Sequence, residues 1–375
     1  MSLDEMETAR LIKGTPDLHL ENGSILIIQL GDIGDVVLTL PFVEALSKAF
    51  PRRSLVLCVR EHARELMEDC PQVYQVLSVN KQKRTFKTEM VHQGRFLRDL
   101  RRSKCTMAIE LRTGTRGAMI AMLSGAHTRV ARYANDGTLW RNRFFTHLVK
   151  PTREYCQYAA QHNLNIMAPF GLFEEDPRPH ILVSEQRRRK AKTIFQKAGI
   201  PEDRPLVAVH PFSLWKYKEW TPSEMASLLD RIQAEYRCNM IVTGAPNERK
   251  QAGDLIDICQ CKPYNLAGET SIGQLPAVLA ACTLFIGVDT AALHIAAAVG
   301  VPTVGIFGPS SWTSWAPRGQ NHLVVKKGLS CQPCSRKGCE GSEWSRCLEA
   351  LTAKEVYEAV EKTLNLTLTG EEDRR

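Results

Sequence analysis

The sequence lacks any long apolar run. No stretch of about 18 consecutive apolar residues occurs, and the nearest candidate, 295–307, is interrupted by Gly300 and Pro302. No transmembrane helix is therefore predicted. The first 20 residues are polar and charged, without the apolar core of a signal peptide. Together these absences predict a protein that stays in the cytoplasm.

The sequence also lacks the glycine fingerprint of dinucleotide-binding proteins. Gly31 and Gly34 follow an apolar run, but the third glycine and the G-x-G-x-x-G spacing are missing. This absence argues against an oxidoreductase.

What is present is an ordinary composition with excess positive charge. At 375 residues, with 43% hydrophobic and 24% charged side chains, two globular domains are expected. The net charge is +8, and the stretch 81–104 holds nine Lys or Arg residues against Glu89 and Asp99. Such a cluster suits an anionic partner, although a solvated helix face is the simpler alternative. Nucleic acid is disfavoured because only Phe86 and Phe96 are interleaved with these charges.

Twelve cysteines are many for a cytoplasmic chain. Eight lie scattered in apolar segments and are expected to be small buried hydrophobes. The other four lie close together in the sequence, at Cys331, Cys334, Cys339 and Cys347. This spacing could hold zinc, although the second pair is not C-x2-C, and a disulfide is disfavoured in a reducing compartment. Metal-bound, paired and free thiols all remain open.

The most informative stretch is 24–50. An apolar run at 24–30 predicts a buried strand, two glycines predict a turn, and helical spacing from Val36 to Phe50 predicts one helix ending before Pro51. Asp35 then lies at the carboxyl end of a strand, where open α/β sheets bind ligands. Asp35 is the leading candidate for the catalytic residue, and a plain helix N-cap is the alternative.

The strand-helix alternation continues along the chain, with further strands expected at 54–60, 73–79, 106–111 and 128–133. From 135 a helical connector is expected, then a linker at 174–179, after which the alternation restarts. This pattern predicts an α/β fold of two similar, mainly parallel, doubly wound halves. A cleft between the two domains would be a preferred place for ligands. The expected divisions are 1–180, 181–350 and a C-terminal helix in 351–375.

Three strand ends in the second half carry polar residues. Lys218 suits a phosphate, Glu248 could accept hydrogen bonds from a ribose or base, and Asp289 with Thr290 opens a helix whose amides could hold a diphosphate. Taken singly, each residue also fits an ordinary structural role, as a solvated lysine, a helix-end charge or an N-cap. His294, one turn further on, is more often a core histidine. Their expected convergence at one sheet edge favours a site.

Four segments together resemble the heptosyltransferase family of inverting glycosyltransferases, glycosyltransferase family 9. They are ILIIQLGDIGDVVLTLP, VAVHPFSLWKYKEW, VTGAPNE and FIGVDTAALHIAAAVGVPTVGIFGPS. The segment CQPCSRKGCEGSEWSRCLEALTAKEVYEAV resembles the family's C-terminal cysteine stretch. The match covers most of the chain in the right order and is weak between about 81 and 201.

The resemblance implies a GT-B architecture of two Rossmann-like domains facing across a cleft. The first domain would bind the acceptor, the second the nucleotide sugar, and the last helix would pack back on the first domain. Asp35 would be the general base for an acceptor hydroxyl of the lipopolysaccharide core, and the donor would be ADP-heptose. The donor-binding residues implied are Ser213, Lys218, Glu248, Asp289, Thr290, Ala291 and His294.

The resemblance also implies partners and cofactors. Acceptor or phosphate binding falls on Gly34, Lys81, Lys83 and Arg84. No D-x-D pair for a catalytic cation occurs, so no metal and no cofactor are expected. The basic stretch predicts peripheral contact with the anionic inner face of the cytoplasmic membrane.

The sequence departs from the family at two positions. Ala291 and Phe212 stand where glycine is usual, and their side chains would crowd a diphosphate. Another nucleotide sugar, an epimerase or a non-catalytic sugar-binding scaffold therefore remain as alternatives.

Overall fold

The computed structural model describes residues 9–18, 22–80, 85–135, 140–152 and 154–372. The chain divides into two compact units, Met1–Pro179 and His180–Arg375. The predicted boundary at 180 lies one residue from this division. Each unit is an α/β structure built on one sheet.

The first unit contains a seven-stranded sheet in the order β1-β7-β6-β5-β2-β3-β4. Its strands are β1 (Ala9–Lys13), β2 (Ser24–Gln29), β3 (Leu55–Arg60), β4 (Val73–Val79), β5 (Cys105–Glu110), β6 (Thr128–Arg132) and β7 (His147–Pro151). All neighbouring strands pair in parallel except β1, which runs antiparallel to β7.

Strand β2 lies in the interior of this sheet because its residues are apolar on both faces. Ile25, Leu26, Ile27 and Ile28 are fully buried, as expected for a parallel strand covered by helices on both sides. Ile27 lies opposite Leu57 of β3 on one side and Ile109 of β5 on the other. The carboxyl end of β2 is therefore flanked by the ends of β3 and β5.

The helices of the first unit cover the two faces of this sheet. They are α1 (Ile33–Val37), α2 (Leu40–Ala49), α3 (Glu61–Met67), α4 (Phe86–Arg102), α5 (Thr115–Leu123) and α6 (Ala159–Leu164), with 3-10 turns at Arg141–Phe144, Glu154–Cys156 and Ala168–Phe170.

Two expectations for this unit are wrong. The single helix expected from Val36 to Phe50 is two helices, divided at Leu38 and Thr39. Pro41 stands in the first turn of α2, where a missing N–H costs nothing, whereas within one continuous helix it would remove a backbone bond. The region after residue 135, expected to be a helical connector, contains β7, which reaches the sheet by pairing with β6 and β1.

The second unit contains a parallel six-stranded sheet in the order β10-β9-β8-β11-β12-β13. Its strands are β8 (Leu206–His210), β9 (Asn239–Val242), β10 (Tyr264–Asn265), β11 (Leu284–Val288), β12 (Thr303–Ile306) and β13 (His322–Val325). Its helices are α7 (Glu185–Lys197), α8 (Pro222–Tyr236), α9 (Arg249–Ile258), α10 (Leu275–Ala280), α11 (Ala291–Ala298), α12 (Trp312–Trp315), α13 (Arg346–Glu349) and α14 (Ala353–Glu372), with 3-10 turns at Lys216–Lys218, Pro246–Glu248 and Cys339–Gly341.

The last helix, α14, contributes to the core of the second unit. It packs against α8 and the strands β12 and β13, and Val356, Val360 and Leu364 are fully buried there. Its packing onto the first domain stays a prediction. None of the helices in the described ranges is both long and apolar enough to span a bilayer.

Candidate functional site

Asp35 lies in the first turn after β2, at the carboxyl end of an interior strand. Its Oδ2 accepts hydrogen bonds from the backbone N–H of Asp32 (2.9 Å) and from Nη1 of Arg112 (2.8 Å). The side chain is 22% exposed. The N-cap residue of α1 is Asp32, not Asp35. Asp35 is the third helical residue and bonds back to Asp32 in a capping box, and it also presents a carboxylate at the sheet edge.

The side chain of Asp35 lies directly against Gly31, where the missing side chain of glycine leaves room for it. A Cβ atom at residue 31 would lie 2.6 Å from the Cβ of Asp35, nearer than real side chains approach. Any larger residue at this position would displace the carboxylate. The backbone N–H of Gly31 also donates to Gln29 Oε1 at 3.1 Å, which anchors the turn to the end of β2.

Two arginines flank Asp35 from the neighbouring strands. Arg112 follows β5 and contacts Asp35 directly, while Arg60 ends β3 and binds Asp32 at 2.8 Å. Neither arginine was predicted from the sequence. The strand-end rule that located Asp35 would also have found both, because each directly ends or follows a predicted strand.

A buried ion pair lies behind Arg112. Arg141 is 1% exposed and donates to the Glu110 carboxylate, and its Nη2 also donates to the backbone oxygen of Arg112 at 2.9 Å. Burial raises the pKa of Glu110 to about 7, against the lowering effect of the Arg141 charge. The pair therefore fixes the backbone that carries Arg112.

The proposed acceptor residues are placed only in part. Gly34 is the second residue of α1, next to Asp35, and is half-buried. Lys81, Lys83 and Arg84 lie outside the described residues.

In the second unit, the loops after β8 and β11 meet. Lys218, in the 3-10 turn after β8, donates through Nζ to Oδ2 of Asp289 at 2.6 Å. Asp289 directly follows β11, the sheet neighbour of β8. Their side chains are 22% and 6% exposed, so the lysine is the more accessible partner.

Glu248 stands beyond β9, the other neighbour of β8. Its Oε2 accepts a hydrogen bond from the backbone N–H of Ala245 at 2.6 Å. Partial burial raises the pKa of Glu248 and the bond from Ala245 opposes that shift. The three strand ends are thus adjacent, as the sequence predicted, whereas a direct contact is described only between Lys218 and Asp289.

Ser213 belongs to a loop that is held by Glu219. The Glu219 carboxylate accepts from the backbone N–H of Ser213 (3.0 Å) and from Lys216 Nζ (2.8 Å). Ser213 Oγ in turn accepts from the backbone N–H of Trp215 at 3.3 Å. Glu219 was not predicted, because its partners come from a loop conformation with no sequence signature.

Thr290 is the N-cap residue of α11 and Ala291 its first residue, and both are half-buried. His294 lies one turn further and is 4% exposed. Phe212 is buried in a small apolar cluster with Val242, Ala252 and Ala267. The ring of Phe212 therefore packs into the domain core instead of extending into solvent.

His210 ends β8 and was also not predicted. Its Nδ1 forms a hydrogen bond with Thr243 Oγ1 at 3.0 Å. Burial lowers the pKa of this imidazole to about 4, so the ring is neutral near pH 7. The His210 ring therefore packs and forms a hydrogen bond at the sheet edge but adds no positive charge there.

The C-terminal cysteine quartet is free of disulfides. Cys331 is exposed, Cys334 and Cys339 are half-buried and Cys347 is buried. Within the described part of the chain, three or more potential metal ligands converge only elsewhere, at Asp230, Cys259 and Cys261.

A groove of about 720 Å³ lies elsewhere in the second unit. It is lined by α7, α10 and the amino-terminal starts of β8 and β11, with Phe195, Arg204 and Leu206 among its residues. In a parallel sheet all strands start at one edge and end at the opposite edge, and the predicted donor-binding residues follow the strand ends. This groove therefore contains none of the predicted donor-binding residues.

Solved structures share this fold. The glycosyl transferase of family 9 from Veillonella parvula is 22% identical, with a TM-score of 0.80 covering 93% of this chain and 99% of that one. The ADP-heptose lipopolysaccharide heptosyltransferase II of E. coli is 18% identical, with a TM-score of 0.75 covering 92% and 99%. The two α/β units are therefore the Rossmann-like domains of the GT-B fold.

The family follows from the sequence comparison. Residues 93–345 match the model of glycosyltransferase family 9 (heptosyltransferase). The lipopolysaccharide heptosyltransferase 3 of Escherichia coli is 24% identical over 345 residues, covering 90% of this chain and 98% of that protein. The chain belongs to glycosyltransferase family 9, which confirms the resemblance found in its motifs.

Proposed function

We propose that this protein transfers a heptose, or a closely related sugar, from an ADP-sugar to an acceptor hydroxyl of the lipopolysaccharide core. The observation that carries this proposal is the placement of Asp35 at the end of β2. Membership of family 9 and the heptosyltransferases among its relatives support the sugar and the acceptor.

Asp35 is proposed as the general base of an inverting transfer. Both of its hydrogen bonds end on Oδ2, so Oδ1 is the oxygen we assign to the acceptor hydroxyl. As that hydroxyl attacks the anomeric carbon, its proton passes to Oδ1 and the sugar–phosphate bond breaks on the opposite face. Arg112 and the Asp32 amide hold the carboxylate in one orientation during this step.

Lys218 is proposed to bind the donor diphosphate. An ammonium group has three N–H donors, and Asp289 accepts one of them at 2.6 Å. The others remain for phosphate oxygens, whose negative charge grows as the sugar departs. Thr290, Ala291 and His294, at the start of α11, would complete the phosphate side.

Glu248 is proposed to hold the nucleoside. Its Oε2 is bound to Ala245, which leaves Oε1 for a ribose hydroxyl. Ser213, in the loop ordered by Glu219, would lie on the same side of the donor. No metal is required in this scheme, and transfer is expected to persist when divalent cations are chelated.

The first test is thermal unfolding with ADP, ADP-heptose, UDP-GlcNAc, GDP-mannose and NAD at equal concentrations. A ligand at ~100 times its Kd adds ~2.7 kcal/mol to stability. Stabilisation by ADP, and more by ADP-heptose, is expected. A preference for UDP- or GDP-sugars would replace the donor but keep the fold. No response to any nucleotide would favour a non-catalytic scaffold, and product analysis without acceptor would reveal an epimerase.

We also propose that α4 contacts the anionic inner face of the cytoplasmic membrane. Met90 and Val91 are 60% and 54% exposed on this helix, which also carries Arg95, Arg98 and Arg102. Each cation near such a surface contributes ~1 kcal/mol. We expect binding to anionic vesicles that falls with added salt. Equal binding to neutral vesicles at low salt would contradict an electrostatic contact.

A further inference from the structure

A cluster of three metal-ligating side chains lies where α8 meets the end of α9. Asp230 belongs to α8, Cys259 directly follows α9, and Cys261 lies in the turn before β10. Their ligand atoms, one carboxylate oxygen and two sulfurs, all lie within 4.8 Å of one another. Cys259 is 1% exposed, and the other two are half-buried.

The backbone holds these three groups in place. The N–H of Cys261 donates to Asp230 Oδ1 at 2.9 Å, so the carboxylate is fixed against the C-x-C turn. The thiol of Cys259 is within 3.2 Å of the Leu255 backbone oxygen. Lys262 has a φ of +48° and closes the turn.

Lys262 brings a positive charge near Asp230 and Cys259, but it forms no direct ion pair with Asp230. Lys262 directs Nζ to the backbone oxygens of Ile256 (3.3 Å) and Asp257 (2.9 Å) at the end of α9. No salt bridge to Asp230 is present among the described residues.

We propose that Asp230, Cys259 and Cys261 bind a thiophilic divalent cation such as Zn²⁺. Around one zinc ion, sulfur ligands at ~2.3 Å and a carboxylate oxygen at ~2.1 Å would lie roughly 3.5–3.8 Å apart, so small side-chain rotations suffice. Three protein ligands leave the fourth position to water. Two thiolates favour zinc over magnesium or calcium, which prefer oxygen.

The location assigns this site a structural role. The cluster lies before the start of β10, whereas Lys218, Glu248 and Asp289 lie beyond the ends of the parallel strands. A bound ion would link α8 to the turn between α9 and β10. We therefore expect metal binding to change the stability of the domain and to leave sugar transfer unaltered.

The test is a Co²⁺ and Zn²⁺ titration of the full-length, reduced, metal-free protein. The wild type is expected to show thiolate-to-cobalt charge-transfer absorption, and Cys261→Ser to bind one equivalent less. Zn²⁺ at ~100 times its Kd should raise the unfolding midpoint by about 5–10 °C in the wild type. Asp230→Asn keeps an acceptor for the Cys261 amide and should weaken metal affinity at least about tenfold.

Matched controls separate this site from other thiols. Cys70→Ser removes a half-buried cysteine of the first unit and should bind like the wild type. Cys334→Ser should remove only metal bound by the C-terminal quartet. Because Cys261 is half-buried, its serine variant should unfold at the wild-type midpoint without metal. Equal stoichiometry in wild type and Cys261→Ser would overturn the proposal, as would a Cys259–Cys261 disulfide that resists reduction.

Discussion

The two units each form an ion pair at the carboxyl ends of neighbouring parallel strands, but they differ in how far the carboxylate is buried. In both pairs the cation is the more exposed member, Arg112 at 48% and Lys218 at 22%. In the first unit, Asp35 is 22% exposed and both its bonds end on one oxygen. In the second, Asp289 is 6% exposed and Lys218 is the accessible member. Burial thus leaves a partly exposed carboxylate in the first pair only. The first pair presents both a carboxylate and a cation, whereas the second presents a cation alone.

The largest expected effect comes from Asp35→Asn. The amide retains the shape of the carboxylate but is a far weaker base, so transfer should fall by ~10²- to 10⁴-fold. ADP binding should stay nearly intact, because the proposed donor residues lie in the other domain. Single-turnover transfer and ADP calorimetry measure the two properties separately. Unchanged turnover would remove Asp35 from the mechanism.

Lys218→Gln, in contrast to Asp35→Asn, should weaken ADP binding. Glutamine can still donate to Asp289 but carries no charge, so ADP affinity should fall by about 10- to 100-fold, the cost of one charge-assisted hydrogen bond. Lys192→Gln is the matched control, since Lys192 pairs with Glu202 at the surface and should leave ADP affinity unchanged. Equal affinity in wild type and Lys218→Gln would exclude the lysine from the donor site.

Gly31→Ala tests the placement of Asp35 without changing its chemistry. The new methyl group would displace the carboxylate, and transfer should fall by roughly tenfold because reacting groups need accurate positions. Gly253→Ala, on α9 with open space around it, is the control. If transfer by Gly31→Ala equals that of the wild type, the close approach has no bearing on activity.

The smallest effect concerns the neutral imidazole of the second unit. Burial lowers the pKa of His210 to about 4, whereas an unfolded histidine titrates near 6.5. The unfolded state therefore binds the proton first, and His210 contributes stability above pH ~6.5 that is lost as the pH falls towards ~4. Through this one group, the free energy of unfolding changes by at most ~1.4 kcal/mol per pH unit.

His210→Gln removes this titration and should flatten the dependence of unfolding free energy on pH between ~6.5 and ~4. Denaturant unfolding of the wild type and the variant at several pH values measures this pH dependence. An identical slope in the variant would mean that other groups cause the acid loss of stability.

Two strands of the first sheet were predictable because their sequence signals are local. The Ile-rich run of β2 and the predicted strand Val73–Val79 agree with the structure closely. The strands β1 and β7 were missed. β1 is mostly exposed and only Leu148 and Val149 of β7 are buried, so neither carries a strong apolar pattern.

The sequence by itself determined the α/β class, the family and the position of Asp35 at a strand end. These follow from residues adjacent in the chain, whose spacing sets strand, turn and helix. Only the tertiary structure decided which groups meet. Arg112 reaches Asp35 across 77 residues, and Lys218 reaches Asp289 across 71. Such contacts depend on strand order and burial, which no local spacing encodes.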